Sequence, residues 1–155
     1  MVTIDEAGPA DVADVGALLT AARLSQEGVN RNVSGFVVAR EGRRLVAAAC
    51  LERHGDAGLL RSVVTAPDRR GQGLAARLIE TLLDRARVAG CQTVYLLTDT
   101  AEAYFARRGF RRVERGQVPY AIRESEQFRS RTCASAAVMM TPVRPLRFRG
   151  GVNDE

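Results

Sequence analysis

Val63-Val64-Thr65-Ala66-Pro67-Asp68-Arg69-Arg70-Gly71-Gln72-Gly73-Leu74-Ala75-Ala76 is the stretch on which the reading of this chain turns. A β-branched apolar run stops at a proline turn, two arginines and two glycines follow, and an amphipathic pattern begins at once. Glycine tolerates the positive φ that lets consecutive N–H groups face one point. A helix starting there adds its partial positive charge, and the arginines add full ones. Strand, glycine bend and helix in that order make a cradle for linked phosphates, so the sequence implies a diphosphate-bearing cofactor.

Working outward, the helix predicted over 72–88 carries Leu74, Ala75, Leu78, Ile79, Leu82 and Ala86 as one stripe and stops at Ala89-Gly90. Before the bend, strands at 36–39, 45–51 and 59–65 are separated by Glu41-Gly42 and Gly55-Asp56-Ala57-Gly58, turns short enough for an antiparallel meander. Ahead of them, residues 1–7 read as a strand. Pro9 and Asp11 then open a helix with Val12, Val15, Leu18, Leu19 and Ala22 on its apolar face, and 24–33 is a polar loop. Beyond the helix, 93–97 is a nearly continuous apolar run of the buried-strand type. Thr98-Asp99-Thr100 is the N-cap signal of a short helix, 101–108, that stops at Gly109. Strands are predicted at 110–113 and 134–140, with a polar, partly helical stretch at 118–131 between them. Residues 1–141 are expected to form one domain and 142–155 a mobile tail.

Composition excludes several classes. The chain has 155 residues and is 46% hydrophobic, enough for one packed core. No run approaches the roughly 20 apolar residues of a membrane span, and Met1-Val2-Thr3-Ile4-Asp5-Glu6 is too acidic for a signal peptide. A cytoplasmic protein without membrane contacts is therefore expected. The net charge is +5, and all 23 basic residues are arginine. They are scattered, Trp is absent and aromatics are 5%, which argues against a nucleic-acid partner. Cys50, Cys91 and Cys133 are far apart and His54 is the only histidine, so neither a metal site nor a Ser/Cys–His nucleophile pair is expected. Each thiol sits in an apolar run and reads as core.

Two cofactors fit the bend. Gly71-x-Gly73-x-x-Ala76 matches the dinucleotide fingerprint G-x-G-x-x-G/A, with Asp99 closing the next strand. However, residues 66–70 separate strand from glycine, the preceding strands are antiparallel, and too few strands remain for a doubly wound sheet. Arg70-x-x-Gly73-x-Ala75 resembles the pyrophosphate motif Q/R-x-x-G-x-G/A of the GNAT acetyltransferase superfamily. The order of elements resembles that family from Met1 to about Thr141, and Ala101-Glu102-Ala103-Tyr104-Phe105-Ala106-Arg107-Arg108-Gly109-Phe110 resembles its helix ending in Gly-Phe. Leu97 to Glu102, Gln127-Phe128 and Cys133-Ala134-Ser135-Ala136 resemble members found with arsenic-resistance genes, and acetyltransferases of amino acids such as glutamate share a similar aromatic-Phe helix.

The resemblance implies an α/β GNAT fold: a mixed central sheet of about six to seven strands flanked by helices and splayed between the fourth and fifth. It implies acetyl-CoA as cosubstrate, with pantetheine lying along Val63 and Thr65 like an added strand. A backbone N–H of Val63 or Val64 would face the acyl oxygen. Arg69, Arg70, Gly71, Gln72, Gly73, Leu74, Ala75 and Ala76 would hold the pyrophosphate, with Arg69 equally readable as a solvated surface arginine. Many members carry a Tyr four residues before the Gly of Gly-Phe and a Glu at the start of the strand before the motif; here Phe105 and Leu59 stand there. Tyr104, about 100° round the helix and so not pointing where that Tyr would, is the candidate acid, the alternative being that CoA thiolate leaves without one, and Phe105 is expected against cofactor or core. Glu52 is the substitute base, or else an exposed hairpin carboxylate. Arg61, by the two-residue period, shares a face with Val63 and Thr65, where it either clamps a substrate carboxylate or pairs with Glu52. Asn30, Arg123 and Ser135 are further substrate candidates. The function implied is N-acetylation of a small primary amine of amino-acid type, by a chain that can pair as a homodimer. A peptide N-acetyltransferase and a non-catalytic acyl-CoA-binding module are the alternatives.

Overall fold

Continuous apolar runs at 36–39 and 45–51 set the first hairpin, because each strand buries both of its faces under helices on either side. The computed structural model describes residues 1–130 and 135–143. In these, β1 (Val2–Glu6), β2 (Phe36–Glu41), β3 (Arg44–His54) and β4 (Ala57–Thr65) run antiparallel in sequence order. Helix α2 (Leu74–Val88) then crosses over, so that β5 (Thr93–Thr98) lies parallel to β4. The last strand, β7 (Ala137–Pro142), inserts between β5 and β6 (Arg111–Val113), giving the order β1-β2-β3-β4-β5-β7-β6.

The two strands that matter barely touch. β4 and β5 pair only at Ala57/Thr93, Gly58/Val94 and Leu59/Tyr95, and then diverge. Gly58 sits at this junction because a Cβ there would meet Leu51 Cδ1 at 2.9 Å and Val94 Cγ2 at 3.3 Å. Beyond Leu59, residues 60–65 of β4 face an opening, and the predicted splay between the fourth and fifth strands is present.

One face of the sheet is covered by α2 through Leu74, Leu78, Ile79, Leu82 and Ala86, five residues of the stripe read from its periodicity; Ala75, the sixth, is only half-buried and outside this core. The other face takes Val15 and Leu19 of α1 (Val12–Ala21) against Phe36, Val38, Cys50 and Val64. The stretch expected to be polar at 118–131 differs from that reading: Val118 and Ile122 are buried against Leu59, Tyr95 and Val138. They fix the short helix α4 (Tyr120–Arg123) and, after it, α5 (Glu126–Arg129) over the far half of the sheet. Cys50 and Cys91 are buried free thiols, and burial pushes the Cys50 thiol up to about 12; Cys133 lies outside the described residues. The sheet also extends into the stretch expected as tail, since Pro142 pairs with Thr93 and Val143 is buried with its N–H on Gln92 O. Residues 144–155 lie outside the described residues.

Candidate active site

Past Thr65 the backbone turns on Ala66, whose N–H donates to Val46 O in β3 at 2.8 Å. Backbone groups alternate along a strand, so the N–H groups of Thr65 and Val63 point the other way, into the opening beside β5. Pro67–Arg69 then makes one tight helical turn. Gly71 and Gly73 follow at φ +80° and +78°. A Cβ at either would have open space, so the left-handed backbone itself is what selects glycine. Gly73 is thereby the cap rather than part of the helix, which starts at Leu74 and not at the expected Gln72.

The two arginines of the bend divide. Arg69 Nε donates to Glu41 Oε1 at 2.9 Å and Nη1 to Asp68 Oδ2 at 3.0 Å. Arg44 grips Asp68 from the other side at 2.7 and 2.8 Å. The Arg44 guanidinium beside it pulls the Asp68 carboxyl down to about 2, and Arg69 holds Glu41 below the usual range. Arg69 thus fastens the bend to the β2–β3 hairpin. Arg70 is exposed, with no ion pair among the described residues.

Two cavities flank the splay. One, of about 750 Å³, lies over the bend and is lined by Val63, Val64, Thr65, Arg69, Arg70, Gly71, Gly73, Leu74 and Ala75. The other, of about 640 Å³, lies between residues 60–63 of β4, the end of β5, the loop after α1 and α5. Tyr104, on α3 (Glu102–Ala106), borders both. Its ring meets Phe105 edge-on at 5.3 Å, and Phe105 in turn packs on Phe110 and lines the second cavity. Thr98 Oγ1 accepts the Ala101 N–H at 3.0 Å and ties down the turn before α3, whose cap residue is Ala101 rather than the expected Thr98-Asp99-Thr100.

The second cavity ends on a polar cluster created by an irregularity. Ala48 pairs with Val64 but Cys50 pairs with Arg61, so β4 carries one extra residue there, and Ser62 takes φ +59°. This bulge overturns the two-residue reading of Arg61. The side chain shares its face with Val64 and Cys50, while Val63 packs on the opposite core. Arg61 is buried, donates Nη1 to Glu52 Oε2 at 2.7 Å, and still lines the cavity. Glu52 also accepts from Asn32 Nδ2 at 3.2 Å and lies 3.0 Å from His54 Nε2. It is no exposed hairpin carboxylate, for its side chain is 10% exposed, and it stands behind Arg61 and lines neither cavity.

Of the remaining candidates, Gln72, Ala76, Asn30, Arg123 and Ser135 line neither cavity. The sequence reading missed Glu126 and Gln127, which face the second cavity from α5, and Arg107 and Arg108, which face the first. A signal existed for the arginines: they follow Tyr104 by three and four residues, one turn along the same side of the helix. For α5 there was none, because nothing local marks the buried Ile122 as its anchor.

Residues 12–110 match the acetyltransferase (GNAT) family, and the chain belongs to that family. It is 34% identical over 113 residues to an amino-acid acetyltransferase of Pseudomonas fluorescens strain Pf0-1, across 65% of this chain. The chain spans only 26% of the length of that relative. Among solved structures, the N-acetylglutamate synthase of Neisseria gonorrhoeae, complexed with coenzyme A and N-acetyl-glutamate, superimposes with a TM-score of 0.83 at 22% identity, over 93% of this chain and 35% of that one. Rv2747 of Mycobacterium tuberculosis, in complex with CoA, gives 0.77 at 21% identity, over 90% of this chain and 98% of that one. At such identities these two likenesses establish the fold. Among the described residues, no helix is long and apolar enough to cross a membrane.

Proposed function

We propose that the chain transfers an acetyl group from acetyl-CoA to the primary amine of a small, amino-acid-like molecule. The observation that carries this reading is a pair of adjoining cavities, one over the glycine bend and one in the gap between β4 and β5, that share Val63, Ala101 and Tyr104 in their walls. The residues fit the cosubstrate. Amides at the start of α2 and the Arg70 guanidinium suit a diphosphate. The free edge of β4 at Val63 and Thr65 suits an amide-bearing arm that pairs as a strand would. Acetyl-CoA supplies an activated acyl thioester.

The chain's own part is positioning and proton handling. Holding amine and acyl carbon in line removes much of the barrier. The outward N–H of Val63 donates to the acyl oxygen, since that of Val64 points with Ala66 N–H toward β3. Tyr104, which lines both cavities, is the acid of this reading and gives its phenolic proton to the leaving sulfur. Arg61 offers its guanidinium to an acceptor carboxylate, a reading in keeping with the amino-acid acetyltransferase relative. Glu52, behind Arg61, aims that guanidinium, and the proton of the acceptor ammonium passes to water in the second cavity rather than to Glu52. Asn30, Arg123 and Ser135 have no part in this assignment.

The test is release of free thiol from acetyl-CoA in the presence of amino acids, their arsenic- or phosphorus-containing analogues, polyamines and peptides. Turnover with amino-acid-like amines is expected. Turnover with peptides alone would reassign the acceptor. Tight CoA binding with no turnover across the panel would make the chain an acyl-CoA-binding module.

A further inference from the structure

The cavity over the glycine bend is lined by four arginines, Arg69, Arg70, Arg107 and Arg108, and by no carboxylate. Only Arg69 is neutralised, by Glu41 and Asp68. Arg70, Arg107 and Arg108 are exposed and have no ion pair among the described residues. Arg108 instead places its guanidinium 5.0 Å from the centre of the Tyr104 ring, a stacking contact that holds it at the cavity wall without discharging it. The cations stand on two walls. Arg70 is on the bend, next to the amides of α2. Arg107 and Arg108 face it from the end of α3.

A diphosphate needs only the first wall: it carries two negative charges, and the α2 amides with Arg70 answer them. Two guanidiniums remain on the facing wall. Unpaired around one cavity they repel one another, so the arrangement favours a ligand with a further, more highly charged group at its nucleotide end. We infer that Arg107 and Arg108 recognise the ribose 3′-phosphate of coenzyme A, making this chain selective for CoA over its 3′-dephospho form. The inference rests on the proposed cosubstrate. Tyr104 then has a second task, since the ring that borders the acyl path also seats Arg108.

The test is calorimetric titration of the full chain with CoA and with 3′-dephospho-CoA at low salt, for the wild type, R107A, R107A/R108A and R77A. Arg77 is an exposed arginine of α2 outside the cavity and controls for net charge. The wild type should bind CoA about tenfold more tightly than the dephospho form, the scale of one or two charge-assisted hydrogen bonds. R107A should reduce that ratio and R107A/R108A should bring it near one, with dephospho-CoA affinity almost unchanged. R77A should leave the ratio as it was. Equal wild-type affinities would overturn the inference, as would a ratio that survives in R107A/R108A. So would equal loss of both ligands in that variant, which would assign the pair to the diphosphate. Failure of the wild type to bind either ligand would overturn the proposed function itself. All of these substitutions remove exposed side chains, and unchanged melting temperatures confirm the fold.

Discussion

At the residue scale the site depends on single backbone and charge placements. Gly73 is the sharpest case, because its φ of +78° costs an L-residue roughly 1–2 kcal/mol and it lines the cavity over the bend. Gly73→Glu should abolish CoA binding in calorimetry while the protein stays folded, since the space around the position is open. Unchanged affinity in a folded variant would refute the placement. Glu52 is a different kind of residue. If it aims Arg61, Glu52→Gln should raise KM for a carboxylate-bearing acceptor by about tenfold with kcat kept, because a charge-assisted bond becomes a neutral one. A base would instead show itself as a fall in kcat and loss of the acid limb of the pH–rate profile. Away from the site, Asp11 accepts both Arg40 guanidinium nitrogens at 2.8 and 2.9 Å, and the Gly8 N–H. The Arg40 bonds chiefly hold its acid below the ordinary value of 3.8. A lowered folded value means the contribution is complete above 3.8 and lost as pH falls through that lower value. Asp11→Asn should therefore be less stable by about 1 kcal/mol at neutral pH in urea titrations, and the gap should close in acid.

At the scale of elements, two short pieces carry the cavity proposed for the acceptor, and neither can stand alone. α4 spans Tyr120–Arg123 and α5 spans Glu126–Arg129, far below the length at which an isolated helix holds in water. Their placement rests on Ile122, fully buried against Leu59, Tyr95 and Val138. Ile122→Ala should cost about 2–4 kcal/mol in urea unfolding and should also weaken acceptor binding, because Glu126 and Gln127 follow on the same support. A stability loss with unaltered KM would separate α5 from the acceptor. The contrast with α2 shows what the sequence could reveal. The α2 stripe is periodic over four turns, so its core face was legible residue by residue. The meander was legible from its turns, and the bend from its glycines. The bulge at Ser62 was not, because nothing in Leu60-Arg61-Ser62-Val63 marks an extra residue. One unseen insertion sent Arg61 to the face opposite Val63, while its pairing with Glu52, one of the two readings open in the sequence, is present. Local pattern exposes elements whose own chemistry dictates them; contacts set by register or by a distant core do not appear in it.

For the molecule as a whole, the decisive property is a sheet that is left unfinished on purpose at its centre. Three residue pairs join β4 to β5, and past Tyr95 the strands part, leaving the outward amides of Val63 and Thr65 without a sheet partner. Such groups sit at a cavity wall rather than in a dry core, so water satisfies them until a ligand does. A cosubstrate that lies in the gap replaces that water with fixed acceptors and bridges the two halves of the sheet. Two consequences should appear together. Saturating CoA, at about 100 times its Kd, should add about 2.7 kcal/mol of stability and raise the melting temperature by several degrees. Amide exchange followed by NMR should slow at Val63 and Thr65 and at residues 71–75, while the already paired Leu59 changes little. The local pattern is the stricter part of this prediction, because any ligand of the folded state raises its melting temperature. Protection that appears only around the arginine-lined cavity and leaves Val63 and Thr65 exchanging freely would mean that the nucleotide docks while its arm stays outside the sheet. The open edge of β4 would then need another occupant.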